Sequence, residues 1–174
     1  MLSFPTRDVS VAAAHVDAKL GADDPVWMKG DALPAEGVAV SGRLSAAGPG
    51  RFYFSGRIRG EAQHECPRCL TDVRTKVEAE AHYVYGDDQH QGADDADTFS
   101  LTRGRGGEEV DLRPAIREQW ILEVPAFALC RPDCKGLCPT CGADLNAGPH
   151  QCAETTADPR WDSLRKLKKG AGKS

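Results

Sequence analysis

The stretch VAVSGRLSAAGPGRFYFSGRIRGEAQHECPRCL, Val38 to Leu70, decides the fold. Val38, Val40, Gly42 and Leu44 alternate with Ala39, Ser41 and Arg43. After Gly48-Pro49-Gly50, Phe52, Phe54, Gly56 and Ile58 alternate with Tyr53, Ser55, Arg57 and Arg59. Successive side chains of a strand point to opposite faces. A period of two around a glycine-proline turn therefore predicts an antiparallel hairpin with one buried face. A third run, Glu61 to Glu65, leads into Cys66-Pro67-Arg68-Cys69, and a fourth, Asp72 to Tyr85, leaves it. The pattern places CPRC at the tip between two strands, where the amides of a tight turn can point at sulfur.

Working outward, residues 86–107 are polar and rich in glycine and aspartate. They predict a surface excursion broken by a short strand at Phe99-Ser100-Leu101. Asp111 predicts an N-cap for a helix from Leu112 to about Glu123, with Pro114 in the first turn, where proline is tolerated. Leu112, Ala115, Ile116 and Trp120 give that helix an apolar face with which to close the sheet. Upstream, the alanine-rich run Val9 to Leu20 carries helix propensity, and Trp27 reads as a plug or lid at the sheet edge. The expected fold is α+β: an antiparallel, barrel-like β-sheet with a closing helix and a C-terminal zinc-knuckle segment. It divides as 1–125 (β-rich, with the helix), 126–157 (cysteine-rich) and 158–174 (basic tail).

Seven cysteines punctuate this plan. Cys130, Cys134, Cys138 and Cys141 lie within CRPDCKGLCPTCGADLN, Cys66 and Cys69 lie upstream, and Cys152 follows. A single free cysteine is usually a small buried hydrophobe. Cysteines grouped as CxxC, CxxxC and CxxC point instead to a metal, because short spacings let one turn supply two thiolates to a tetrahedral zinc ion. The spacing predicts a local structural Zn2+ site of Cys130, Cys134, Cys138 and Cys141. A ribbon of Cys66, Cys69, Cys138 and Cys141, with Cys152 or His150 spare, stays open beside it. Dithiol redox chemistry for CPRC is the weaker reading, since that motif favours a helix start in a βαβ setting.

The formal net charge of -4 is unevenly spread. Asp87, Asp88, Asp94, Asp95 and Asp97 form an acidic run, whereas Arg160, Arg165, Lys166, Lys168, Lys169 and Lys173 face only Asp162 in the tail. Arg57, Arg59 and Arg68 lie on or beside the strands leading to CPRC. Together with Arg165, Lys166, Lys168 and Lys169 they are the candidate nucleic-acid contacts. A solvated charged face is the commoner use of any one such run. No HExxH, GxSxG, P-loop or dinucleotide fingerprint occurs, which argues against an enzyme. The N-terminus lacks the basic start and apolar core of a secretory signal, and no apolar run approaches the roughly 20 residues needed to cross a bilayer. The expected location is cytoplasmic, with no membrane partner and no small-molecule substrate.

ECPRCL after alternating strands, then VDLRPAIREQWILEVP, CKGLCPTCGADLN and DPRWDSLRKLK, resembles the YceD-like family of large ribosomal RNA subunit accumulation proteins. The similarity runs in order from about Gly37 to Lys168. The resemblance implies a non-enzymatic factor supporting 23S rRNA accumulation or processing and large-subunit assembly, through ribosomal RNA or an assembly protein. A protein-interaction adaptor and a thiol redox switch, neither touching RNA, are the alternatives.

Overall fold

The computed structural model describes residues 2–86, 98–104 and 106–152. In chain order these form β1 (Ser3–Pro5), α1 (Thr6–Val11), β2 (Ala14–Leu20), β3 (Val38–Ala46), β4 (Arg51–Glu65), β5 (Asp72–Gly86), β6 (Thr98–Ser100), β7 (Thr102–Gly104), β8 (Gly107–Asp111) and α2 (Arg113–Glu123). Among the described residues, no helix is long and apolar enough to cross a membrane.

The alternating stretch forms the hairpin its pattern predicts. β3 pairs antiparallel with β4 in register Val40 to Ile58 and Leu44 to Phe54, which puts the apolar residues on one face. β4 continues without a break through the expected third run and pairs along its length with β5, ending on Glu65 opposite Asp72. Gly60, which falls between the second and third runs, lies inside β4. A Cβ there would lie 2.8 Å from the Trp120 ring, so this glycine is a slot for the helix tryptophan.

The sheet does not close into the expected barrel. Five strands run in the order β2-β3-β4-β5-β6, and a separate sheet runs β1-β8-β7. A barrel requires the outermost strands to pair. Here β2 and β6 are opposite edges, and β1, β7 and β8 pair among themselves. The apolar face is covered instead. Ala115, Ile116 and Trp120 of α2, Val9 of α1, and Leu2, Val110 and Leu112 join Val40, Leu44, Phe54, Ile58 and Tyr85 in one core.

Two local expectations shift. The helix propensity of Val9 to Leu20 is not realised along that run: the helix α1 spans Thr6–Val11, and Ala14–Leu20 is the edge strand β2. Its pattern is of period two, with Val16 and Leu20 buried and His15, Asp17 and Lys19 exposed, and pairing with β3 overrides the alanine propensity. The second helix begins at Arg113, one residue later than expected. Asp111 still serves it, accepting a hydrogen bond from the Arg113 amide at 3.0 Å while also pairing with the Arg113 guanidinium. Trp120 donates from Nε1 to the Ala32 carbonyl at 2.8 Å, and Arg117 grips Asp31 through two hydrogen bonds of 2.7 and 2.9 Å. The connection between β2 and β3 is thereby tied to the helix. Trp27 sits half-buried in that connection and donates to the Gly21 carbonyl, which agrees with its reading as a lid.

Candidate metal centres

β4 and β5 carry Cys66 and Cys69 at their shared tip. The turn closes by Leu70 N–H donating to the Cys66 carbonyl at 2.9 Å and Cys66 N–H donating to the Thr71 carbonyl at 2.8 Å. Leu70 takes φ +60°, a left-handed conformation unusual for a branched apolar residue, and the residue is 59% exposed. The same turn recurs at Cys138-Pro139-Thr140-Cys141-Gly142. Gly142 N–H donates to the Cys138 carbonyl at 2.9 Å, with φ +76° at the equivalent position. These are two copies of one thiolate-presenting knuckle.

The expected quartet of Cys130, Cys134, Cys138 and Cys141 is divided between two clusters. The side-chain donor atoms of Cys66, Cys69, Cys130 and Cys134 lie within 4.8 Å of one another, and so do those of Cys138, Cys141, His150 and Cys152. The alternative ribbon of Cys66, Cys69, Cys138 and Cys141 is likewise not the arrangement formed. The reason is the backbone between Cys134 and Cys138. Gly136 turns the chain at φ +77° while its Cα lies against the Arg68 carbonyl, and a Cβ there would sit 2.7 Å from that oxygen. Leu137 N–H donates to the Arg68 carbonyl at 2.9 Å, and the Arg68 guanidinium donates to the Cys134 carbonyl at 2.8 Å. Cys134 therefore faces the strand tip. Cys138 instead groups with Cys141, His150 and Cys152, and its amide closes its own knuckle on the Ala143 carbonyl at 2.8 Å, as the Cys66 amide does on Thr71.

The sulfur spacings fit an ion. Cys66 Sγ lies 3.9 Å from Cys134 Sγ, and Cys69 Sγ lies 3.5 Å from Cys130 Sγ. Tetrahedral zinc with Zn–S of about 2.3 Å separates its sulfurs by about 3.8 Å. The backbone is arranged for thiolate. The amide of Cys130, with those of Arg68 and Cys69, lowers the Cys66 thiol to about 6 against the opposing effect of burial. The amides of Cys141 and Thr140 lower Cys138 to about 6 in the same way. Two other thiols shift the opposite way: the Cys69 side chain is the main cause that pushes Cys130 up to about 12, and burial pushes Cys152 up to about 11. A divalent ion at either cluster would supply the positive charge that favours the thiolate form of its cysteines.

The segment holding both clusters has almost no apolar interior. From residue 126 to 152 the buried residues are Cys134, Gly136 and Cys138. A chain segment without a core needs another source of order, and metal ligation is the source its side chains offer. Asn146 completes the scaffold: its side-chain oxygen accepts from the Lys135 amide at 2.8 Å, and its amide nitrogen lies 3.7 Å from Cys134 Sγ. Sequence spacing pointed to neither Asn146 nor the role of Gly136, because both act across the fold.

The candidate nucleic-acid residues fare differently. Arg57 contacts Glu78 and Glu80 at 3.7 and 3.8 Å, and Arg59 contacts Glu78 at 2.8 Å, across the exposed face of β4 and β5. Arg68 is committed to the Cys134 carbonyl. Arg165, Lys166, Lys168 and Lys169 lie outside the described residues.

Comparison with known proteins places the chain. A protein of Mycobacterium bovis called uncharacterised is 36% identical over 131 residues, covering 75% of this chain and 55% of its own length. A Mycobacterium leprae protein, also called uncharacterised, is 28% identical over 119 residues, covering 63% and 50%. The chain thus spans about half the length of these curated relatives. The large ribosomal RNA subunit accumulation protein YCED homolog 1, chloroplastic, of Zea mays is 51% identical over 39 residues, covering 22% of this chain and 13% of its own. No solved structure matches. The family profile described as large ribosomal RNA subunit accumulation protein YceD matches residues 54–168, from within β4 through both cysteine clusters, and on that match the chain belongs to the YceD family.

Proposed function

We propose that this protein supports accumulation of the large-subunit ribosomal RNA as an assembly factor that performs no chemical step. In this reading zinc at Cys66, Cys69, Cys130 and Cys134 fixes the C-terminal segment to the tip of β4 and β5. The family match over residues 54–168 supports the rRNA role; the pairing of the strand-tip knuckle with cysteines 61 and 68 residues away, in a segment whose described residues bury little apolar surface, supports the clamp. Four thiolates leave no open coordination position, which suits a structural ion and not a catalytic one. The basic residues following Cys152 are the phosphate-contacting element of this reading, since Arg57 and Arg59 are already balanced by Glu78 and Glu80.

The test is binding of purified protein to large-subunit rRNA across a salt series. Contact through the tail predicts affinity that falls steeply with salt, with a slope reduced on removing Lys166, Lys168 and Lys169. Absent or salt-insensitive binding contradicts it. The balanced charge on the β4–β5 face favours a second reading, an adaptor that holds an assembly protein. Partners that co-purify from nuclease-treated lysate support that alternative; partners lost with the RNA support the first.

A further inference from the structure

We propose that Cys138, Cys141, His150 and Cys152 form a second, self-contained zinc site of the Cys3His type, loaded independently of the strand-tip cluster. Their four donor atoms lie within 4.8 Å of one another, and His150 Nε2 is 3.2 Å from Cys141 Sγ. The turn presenting Cys138 and Cys141 repeats the backbone of the turn presenting Cys66 and Cys69, down to a 2.9 Å closing hydrogen bond and a left-handed residue after the second cysteine. In the first copy the two thiols are half of a four-sulfur set. In the second copy the other half is supplied by the returning chain.

A bland account treats Cys141 and His150 as a surface thiol hydrogen-bonded to an imidazole. That account does not explain why Cys152 also converges, nor what brings the chain back. Residues 143–152 contain no buried residue. The Leu137–Asp144 bridge and the Asn146–Asp144 contacts order the start of the return but end before His150. Among the described residues, neither apolar burial nor strand pairing holds residues 148–152 against the knuckle. Ligation of one ion by three thiolates and a neutral imidazole does so, and these are donors that borderline-soft zinc prefers.

The two sites differ in ways that can be read out. The strand-tip cluster has two buried ligands, Cys66 and Cys134, and closes a long loop; the second closes a short one and exposes Cys141 and His150. The second ion is therefore the one a chelator reaches first. The proposal stands apart from the rRNA reading.

The experiment is an ion count on the full chain by native mass spectrometry and elemental analysis. Two zinc ions per chain are expected for the wild type, and one each for His150→Ala, Cys152→Ser and Cys66→Ser. His150→Cys is expected to restore two. Cobalt substitution adds a signature: His150→Cys strengthens the thiolate-to-cobalt charge-transfer bands as a fourth sulfur replaces nitrogen, while Cys66→Ser leaves a three-sulfur spectrum. One ion in the wild type, or two retained in both His150→Ala and Cys152→Ser, overturns the proposal. A one-ion chain that still binds rRNA would overturn it and leave the functional reading standing.

Discussion

The body of the sheet and the cysteine segment are stabilised by opposite means. The body buries Phe54, Ile58, Tyr85, Ile116 and Trp120 in one continuous core, and its order follows from removing apolar surface from water. The segment from 126 to 152 buries two thiols and a glycine. Its described residues are joined by a few backbone hydrogen bonds and by two convergent donor sets that could hold metal ions. The contrast teaches that one chain carries two stability mechanisms, which separate experiments should separate.

The largest effect expected is metal removal. Structural zinc contributes about 10–16 kcal/mol in small metal-folded peptides, comparable to the whole stability of a typical domain. Chelation should abolish hydrogen-exchange protection at the amides of Leu137, Cys138 and Leu145 while β3, β4 and β5 keep theirs. Simultaneous loss of both would erase the distinction. Next comes Trp120→Ala, which leaves a large void against Gly60 and should cost about 3–5 kcal/mol by denaturant unfolding. Zinc content should be unchanged in the protein that remains folded.

A smaller effect belongs to the seam between the regions. Gly136→Ala forces a left-handed residue and a contact with the Arg68 carbonyl, so docking of the segment should weaken by about 1–2 kcal/mol or more. Its readout is faster exchange at Leu137 N–H with an unaltered sheet. The smallest is electrostatic and confined to the body. The Arg117 guanidinium hydrogen-bonded to Asp31 holds that carboxyl below its ordinary value of 3.8. A depressed carboxyl contributes stability that is fully present above 3.8 and is lost as pH falls through the lowered folded value. Asp31→Asn should therefore reduce stability at neutral pH and narrow the gap from wild type in acid, in a pH series of thermal unfolding. A gap that widens in acid would contradict the pairing.

What the sequence revealed divides along the same line. The β3–β4 hairpin, the CPRC tip and the closing helix were legible because alternation, turn residues and helix periodicity are local signals. The continuity of β4 past Gly60 was not legible, since the glycine that looks like a break is a slot for Trp120, 60 residues on. The barrel failed as an inference because closure depends on what covers the apolar face. The strand at Ala14–Leu20 was hidden by alanines whose helix propensity yields to pairing with β3. For the candidate metal centres, spacing singled out the cysteines and the knuckle form, but grouped Cys130, Cys134, Cys138 and Cys141 as one set where the fold makes two. It could not pair Cys66 with Cys134 or Cys69 with Cys130, because those contacts are made by the fold. His150 and Cys152 appeared only as spares, and their convergence on Cys138 and Cys141 depends on the turn at Gly136 and the return past Asn146.

The central claim is that the strand tip and the C-terminal segment share one ion. It is tested most directly by measuring the zinc content of Cys66→Ser and Cys134→Ser side by side. The account predicts that each variant loses the same single ion and that the double variant loses no more than either alone. If Cys66→Ser keeps the wild-type zinc content while Cys134→Ser loses an ion, the C-terminal cysteines bind metal without the strand tip, and the claim is wrong.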